Sequence, residues 1–238
     1  MISIIIPTLN EEKYLPLLLD SIKKQSYQDY EIIVSDGCSD DKTLEVAKAY
    51  GCKTILAKKD ERHPSIQRNN GAKIAQGDIL LFLDADTALP NNKFLEIAIN
   101  DFKKRGMGVA GFFMDFQSKK FFYRFYYSVY NSLAFLAQYI KPLAVGAGII
   151  IKKDLHNYIG GFDEKVFIGE DQIYCEQAAK KEKFRLIKNT KIFFSIRRFE
   201  KVGRWKMFGN LVYSVLYVLI FGPIRKKIIN YDFGDFKN

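Results

Sequence analysis

A short apolar run that ends in two acidic residues constrains this chain more than any other feature. Residues 79–83 read Ile-Leu-Leu-Phe-Leu and lead directly into Asp84-Ala85-Asp86. A run this short and continuously apolar is typical of a buried strand in a parallel sheet. Ligands of open α/β sheets bind beyond the carboxyl ends of such strands, and Mg²⁺ or Mn²⁺ prefers carboxylate and phosphate oxygens. Taken alone, an Asp-x-Asp pair is common, and a solvated turn at the end of the strand is the better explanation.

The surrounding pattern predicts an α/β fold. Short apolar runs alternate with helical periodicity, which indicates βαβ units and a mostly parallel central sheet flanked by helices. The predicted strands cover residues 2–6, 31–35, 54–57, 79–83, 106–116, 149–152 and 192–196. The predicted helices cover residues 11–24, 39–50, 65–75, 93–104, 121–140 and 170–183.

Composition restricts the class of partner. The 238 residues carry a formal net charge of +10, which suits a phosphorylated substrate, an anionic membrane or nucleic acid. Nucleic acid ranks last, because the chain has no zinc-finger spacing and no aromatic RNA-binding motif. The three cysteines fit neither a disulfide framework nor a metal knuckle, so a reducing cytoplasm is expected. The first residues lack a basic region before Pro7, and no signal peptide is expected.

Two other predicted strands also end in polar residues. Asn10 and Glu11 follow the first strand, and Asp36 closes the second. Helix capping explains part of this pattern, because amides and acids stabilise helix starts. It does not explain why three parallel strands present acids or amides at the same edge of the sheet. The sequence therefore favours a polar site at that edge.

Six motifs in a fixed order give this chain a resemblance to a known family. It resembles the inverting family 2 glycosyltransferases of the GT-A fold, which transfer a sugar from a nucleoside diphosphate donor. The resemblance covers residues 3–205. Its motifs are Ile6-Pro7-Thr8-Leu9-Asn10-Glu11, Val34-Ser35-Asp36-Gly37-Cys38-Ser39-Asp40, Arg68-Asn69-Asn70-Gly71-Ala72, Phe82-Leu83-Asp84-Ala85-Asp86, Gly160-Gly161-Phe162-Asp163-Glu164 and Gly169-Glu170-Asp171.

The resemblance implies a role for residues at the nucleotide and metal end. Pro7, Thr8 and Glu11 would line the nucleotide pocket, and Asp36 would hydrogen-bond the base. The following residues are implied for the phosphates and the cation: Arg68 near the diphosphate, Asp84 near the ribose and the metal, and Asp86 as ligand of Mn²⁺ or Mg²⁺.

The resemblance also implies a catalytic base and a donor-closing segment. Asp171 would deprotonate the acceptor, with Glu170 beside it in the substrate site. The alternative for this pair is an acidic helix start that stabilises the helix dipole. Arg197, Arg198 and Trp205 would close over the donor, since arginine suits phosphate. A basic surface turn or a membrane-facing patch explains the two arginines equally well.

Two other functions are possible on a related nucleotide-binding sheet. A sugar nucleotidyltransferase would have a glycine- and arginine-rich loop after the first strand, whereas Pro7-Thr8-Leu9-Asn10-Glu11 stands there. A non-catalytic nucleotide-sugar-binding protein on the same fold stays open. His63 and His156 are expected to be a loop residue and a surface residue, not catalytic groups.

The last part of the chain is apolar and then basic. Residues 205–224 carry few polar side chains, and Arg225-Lys226-Lys227 follows. Because about 20 apolar residues are needed to span a bilayer, a helix lying in the membrane interface fits better. The amphipathic pattern of 121–140 predicts a second helix there, and the alternative is that the two helices pack on each other. The expected domains are 1–204, divided into a nucleotide-binding half (1–115) and an acceptor half (116–204), and a C-terminal appendage (205–238).

Such an arrangement suits a lipid-linked acceptor and a protein held peripherally at the cytoplasmic face of a membrane.

Overall fold

The computed structural model describes residues 1–59, 61–142, 147–203 and 209, without the side chains of residues 198, 201 and 202. Predictions that concern Trp205 and, apart from residue 209, residues 205–238 lie outside this part. The strands are β1 (Ile2–Thr8), β2 (Tyr30–Asp36), β3 (Lys53–Leu56), β4 (Ile79–Leu83), β5 (Thr87–Ala88), β6 (Val109–Asp115), β7 (Gly148–Lys152) and β8 (Phe184–Phe194). The helices are α1 (Leu15–Lys23), α2 (Thr43–Ala49), α3 (Pro64–Ile74), α4 (Phe94–Lys104), α5 (Phe121–Ala137), α6 (Lys153–Tyr158), α7 (Glu170–Ala179) and α8 (Arg197–Val202).

All eight strands form one mixed sheet in the order β3-β2-β1-β4-β7-β6-β8-β5. The strands β3, β2, β1 and β4 are parallel, as predicted. Strand β7 runs antiparallel to both β4 and β6, and β8 is again parallel to β6. Six of the eight described strands therefore run in one direction and β7 and β5 in the other, which confirms a mostly parallel sheet. The reversal of β7 was not predictable, because an apolar run gives no information about strand direction.

The sheet separates two apolar cores. Alternate residues of β1 point to opposite faces, so that Ile4 and Ile6 join one cluster and Ile5 joins the other. Helices α1 and α4 cover the first face, and α3 and α7 cover the second. This three-layer arrangement buries both faces of β4 completely and explains why its five residues are all apolar.

Several predicted boundaries differ from the structure. Helix α1 begins at Leu15 rather than at residue 11, because residues 10–14 form the loop that leads to the site. Strand β8 begins at Phe184, although only its end was predicted. The middle of this strand, residues 188–191, is Lys-Asn-Thr-Lys, and Asn189 has φ +63°. This polar and irregular stretch hides the first half of the strand from a search for apolar runs. The short elements β5, α6 and α8 were not predicted.

His156 is buried, and its prediction as a surface residue was wrong. Only 5% of the residue is exposed, and its Nδ1 lies 2.7 Å from the Tyr174 hydroxyl. The six residues of α6 are too few to show a periodicity that would reveal the buried face. Burial lowers the pKa of His156 to about 4, so the ring is neutral in the folded protein at neutral pH.

The stability of the fold should consequently fall in mild acid. His156 in the unfolded chain takes up a proton near pH 6.5, whereas the folded protein resists protonation until about pH 4. We expect the free energy of unfolding to drop by about 2 kcal/mol from this group between pH 7 and pH 5. Urea unfolding at the two pH values, compared with the same measurement on His156→Gln, isolates the contribution. An equal pH dependence in both proteins would contradict it.

Candidate active site

The ends of three neighbouring parallel strands form the floor of the candidate site. In the register of β1 and β2, Thr8 lies opposite Asp36, and the Thr8 hydroxyl donates to Asp36 Oδ1 at 2.9 Å. Ser39 donates its backbone N–H to Asp36 Oδ2 at 2.8 Å and its hydroxyl to Oδ1 at 2.6 Å. Asp36 is therefore buried and held in one orientation, as expected at a recognition position.

The loops after β1 and β2 fix each other. Asn10 donates its backbone N–H to the Ser39 hydroxyl, and its side-chain oxygen accepts from the Asp40 N–H, each at 2.9 Å. The backbone N–H of Glu11 donates to the Thr43 hydroxyl at 2.7 Å. Asn10 has φ +58°, a conformation that asparagine tolerates better than most residues. This interlocking places the Glu11 side chain at the sheet edge.

Arg197 joins two acidic residues that are distant in sequence. Its terminal nitrogens contact both carboxylate oxygens of Glu11, at 2.8 and 2.5 Å, and its Nε donates to Asp86 Oδ2 at 2.9 Å. The guanidinium lies 4.4 Å above the centre of the Tyr14 ring. Burial opposes the charged form, but the bonds from Glu11 and the charge of Asp86 outweigh it and raise the pKa of Arg197.

Arg68 makes a second bridge of the same kind. One terminal nitrogen donates to Asp84 Oδ1 and the other to Glu170 Oε1, each at 2.9 Å. Burial of the guanidinium works against its charge, and the carboxylates of Asp84, Glu170 and Asp171 reverse this effect and raise the pKa of Arg68. With 3% of its surface exposed, Arg68 ties the end of β4 to the start of α7. Its approach to a diphosphate stays a prediction.

Asn69 connects two of the sequence motifs, its own at residues 68–72 and the one at residues 160–164. Its side-chain oxygen accepts from the Phe162 N–H at 2.8 Å, and its amide donates to the Phe162 carbonyl at 2.9 Å. The same amide donates to Glu164 at 2.8 Å. Helix α3 therefore holds the loop around residues 160–164, and this loop leads into α7.

Asp171 stands in the first turn of α7, after Gly169 at φ +86°. The glycine allows the left-handed turn that begins the helix. Asp171 is half-buried, and its Oδ1 accepts from the Gln172 N–H at 2.8 Å. Tyr130 of α5 lies near enough for its pKa to be raised, first by burial and then by the Asp171 charge. Helix α5 thus carries a tyrosine within electrostatic range of the predicted base.

The structure brings most of the predicted site residues into one edge of the sheet. Two arginines each lie between two acids, and the Asp84-Ala85-Asp86 turn supplies one acid to each bridge. Sequence reasoning missed Tyr14, Tyr130 and Ser39, which are residue types too common in loops and helices to signal a site. The side chain of Arg198 and all of Trp205 lie outside the described part, and their predicted roles stay predictions.

The carboxylates at this edge fit a divalent cation. Over residues 1–59, 61–142 and 147–203, no group of three or more His, Cys, Asp or Glu side chains forms a complete protein cage. Mg²⁺ and Mn²⁺ do not need one, because they are commonly held by one or two carboxylates together with water and substrate phosphates. Asp86 and Asp84, 15% and 31% exposed in their side chains, provide such oxygens.

Comparison with known proteins identifies the family. The sequence profile described as glycosyl transferase family 2 matches residues 3–160. A PGL/p-HBAD biosynthesis glycosyltransferase of Mycobacterium bovis is 41% identical over 93 residues, which is 37% of this chain and 36% of that protein. The chain thus spans only about a third of the length of this curated relative.

Solved structures share the fold. A mannosyltransferase from Pyrobaculum calidifontis, in complex with GDP-Man and Mn²⁺, superposes with a TM-score of 0.73 at 20% identity, covering 92% of this chain and 64% of that one. Residues 1–349 of Staphylococcus aureus TarS, in complex with UDP-GlcNAc, give 0.68 at 23% identity, covering 82% and 58%. These likenesses confirm the GT-A fold that the motifs implied. Since the profile covers more than half of the sequence, the chain belongs to glycosyl transferase family 2.

Proposed function

We propose that this chain is a metal-dependent inverting glycosyltransferase, which transfers a sugar from a nucleoside diphosphate donor to an acceptor hydroxyl. The observation that carries the proposal is the meeting of Asp84, Asp86 and the helix start bearing Asp171 around one arginine-bridged sheet edge. The two chemical tasks of the reaction, release of a diphosphate and deprotonation of a hydroxyl, require anchored charges at these positions. The family's named relatives are glycosyltransferases, which supports the assignment.

The donor nucleotide is assigned to the ends of β1 and β2. Asp36 keeps a lone pair on Oδ2 beyond the bond from Ser39, and a carboxylate there suits an N–H of a base. Pro7, Thr8 and Glu11 line the same edge.

The diphosphate is assigned to the Asp84-Ala85-Asp86 turn. A divalent cation bound there would neutralise the charge that develops on the leaving diphosphate. Asp86 would hold this cation directly, with Asp84 contributing an oxygen or facing the ribose. Arg68 fixes the orientation of Asp84 by its 2.9 Å bond, which keeps the turn in place without movement during the reaction.

Asp171 is assigned as the general base. As the acceptor oxygen forms its bond to the anomeric carbon, the bond from that carbon to the diphosphate oxygen breaks, and the acceptor proton passes to the Asp171 carboxylate. Attack on the face opposite the leaving group inverts the configuration. Helix α7 presents Asp171 beside the Arg68 bridge, and the 2.9 Å contact of Arg68 with Glu170 anchors the start of that helix.

A thermal-shift screen of nucleoside diphosphates tests the function. Binding to the folded state at about 100 times Kd adds about 2.7 kcal/mol of stability, which is on the order of 5 to 10 °C in Tm for a chain of this size. We expect one of UDP, GDP, ADP, CDP or TDP to produce such a shift with Mn²⁺ and to lose most of it with EDTA. No shift with any of them would refute the proposal.

We infer in addition that the acceptor is lipid-linked and that α5 meets an anionic membrane at the cytoplasmic face. No described helix is both long enough and apolar enough to cross a bilayer. Asn131 of α5 points inward and bonds both backbone groups of Met114 at 2.9 Å. Most of the exposed residues of α5 are apolar, namely Phe121, Phe125, Val129, Leu133 and Leu136 with the following Ile140, and the small polar Ser132 is exposed among them.

Charge indicates the kind of partner. Lys119, Lys120 and Arg124 are exposed at the beginning of this face, in a chain of net charge +10. An apolar stripe beside basic residues suits an interfacial helix on anionic lipid. Tyr130 of the same helix lies near Asp171, so a membrane-embedded acceptor would have a short path to the base. Residues 205–238 are proposed as a further membrane-contacting segment, and 116–204 as the acceptor half.

Vesicle sedimentation checks the membrane contact. We expect the full chain to bind phosphatidylcholine vesicles only when they contain phosphatidylserine, and Phe125→Ser with Leu133→Ser to weaken binding about tenfold or more, since burying each apolar side chain contributes on the order of 1 kcal/mol or more. Leu17→Ser, at an exposed apolar residue of α1, is the matched control. The membrane proposal would be wrong if neither wild type nor the double variant bound vesicles. It would also be wrong if light scattering showed that wild type forms a dimer and the double variant does not.

A further inference from the structure

The guanidinium of Arg197 stands where the proposed donor site needs its metal ion. Its Nε binds Asp86 Oδ2 at 2.9 Å, and its two terminal nitrogens bind the Glu11 carboxylate. The Arg197 side chain is 11% exposed, and Glu11 and Asp86 are 8% and 15% exposed. The Arg197 guanidinium therefore already pairs with Asp86, the carboxylate that a divalent ion would use.

Two cations at one half-buried carboxylate repel each other. Coulomb energies between charges a few ångströms apart are several times larger in a protein site than in water. A divalent ion arriving alone must either displace Arg197 from Asp86 or bind beside it against this repulsion. Displacement alone would remove one of the two carboxylate partners of a buried guanidinium and leave its Nε without an acceptor, which is also unfavourable.

A nucleoside diphosphate removes both difficulties. Its phosphate oxygens offer Arg197 a new anionic partner, because a guanidinium binds phosphate as well as carboxylate. Asp86 is then released to the metal ion. Arg197 lies at the first position of α8, and its backbone stays anchored: its N–H donates to the Ser195 hydroxyl at 3.2 Å, and the Ser195 N–H donates to the Asp86 carbonyl at 3.2 Å. Only the side chain has to move.

We propose that the Arg197 side chain pairs with Asp86 in the absence of substrate and moves to the diphosphate when the donor binds, so that the metal ion and the nucleotide bind cooperatively. This inference rests on the proposed function. Arg197 is then a residue that controls the order of binding: the metal ion alone binds weakly, and the nucleotide opens its site. Because linkage is reciprocal, the metal ion must raise nucleotide affinity by the same factor.

Isothermal titration of the full chain tests the inference. Mn²⁺, the nucleoside diphosphate found in the thermal-shift screen, and Mn²⁺ at saturating nucleotide are titrated into wild type, Arg197→Met and Arg197→Lys. Mn²⁺ also chelates the diphosphate directly, so some cooperativity exists in every protein. The contribution of Arg197 is the difference between wild type and Arg197→Met. Arg105→Met is the control, because Arg105 pairs with Asp101 at 2.9 Å in α4, outside the Asp86 cluster.

We expect Arg197→Met to bind Mn²⁺ alone about tenfold more tightly than wild type and to lose about tenfold of the cooperativity, within the usual 5- to 150-fold range of such couplings. Arg197→Lys, which keeps the charge, should stay close to wild type, and Arg197→Gln, which removes the charge and keeps a polar side chain, takes the place of the Met variant if that variant does not fold. Unchanged Mn²⁺ affinity and unchanged cooperativity in Arg197→Met would overturn the inference while leaving the proposed function intact. Failure of wild type to bind any nucleotide with Mn²⁺ would overturn both.

Discussion

Replacement of Asp171 by Asn is expected to lower kcat about 10³-fold while leaving the Kd for the donor nearly unchanged. The amide has the shape of the carboxylate but cannot accept the acceptor proton, and general bases contribute typically 10²- to 10⁴-fold. Donor binding should persist because the carboxylates assigned to the nucleotide and the cation, Asp36 and Asp86, are untouched. Transfer is measured by release of nucleoside diphosphate in the presence of acceptor, and donor affinity by titration.

A matched control separates the base from a general effect of lost charge. Asp154 is exposed in the first turn of α6, which follows the end of β7 that lies beside Ile79, at the opposite edge of the sheet from Asp84. Asp154→Asn should therefore turn over at the wild-type rate. Near-normal turnover in Asp171→Asn would remove Asp171 from the role of base. An equal loss of donor affinity and kcat would instead assign it to donor binding.

Replacement of Asp86 by Ala is expected to abolish the metal dependence of donor binding. Mutation of a residue that only hydrogen-bonds a metal ligand typically lowers metal affinity about 10- to 100-fold. Loss of the ligand itself should therefore reduce Mn²⁺ affinity by about 100-fold or more. The variant also releases Arg197 from one of its two carboxylates. We therefore expect residual nucleotide binding that is no longer sensitive to EDTA.

Titration of the nucleotide with and without Mn²⁺ measures this dependence directly. Asp154→Ala is the control for removal of an acidic side chain. A Mn²⁺-dependent nucleotide affinity in Asp86→Ala equal to that of wild type would exclude Asp86 as a metal ligand. If metal dependence survived in part, Asp84 would be the principal ligand, and Asp84→Ala should then have the larger effect.

Both ends of strand β4 could be predicted from the sequence, because the strand is buried on both of its faces. A strand buried on both faces has no room for polar residues, so residues 79–83 stand out without any knowledge of neighbours. The acids beyond the strand ends were predictable in the same way, because parallel strands bring their carboxyl ends to one edge. The sequence thus predicted that these acids lie together at one edge of the sheet.

The pairing within the site was not predictable. Arg197 contacts Glu11 and Asp86 across most of the chain, and Arg68 was expected near phosphate rather than between two carboxylates. A sequence with 37 basic and 27 acidic residues allows very many pairings, and only the tertiary fold selects among them. The direction of β7 and the inward Asn131 depend equally on contacts between distant segments.

The position of β7 has a consequence for synthesis on the ribosome. By the time residue 83 has emerged, β1, β2, β3 and β4 are available to assemble their parallel half. The side of β4 that later pairs with β7 then has unpaired backbone groups along five apolar residues. It stays uncovered until residues 148–152 have been synthesised. Uncovered edges of this kind invite pairing with other nascent chains. Truncated chains that end before β7 should therefore depend on chaperones more than the full chain does.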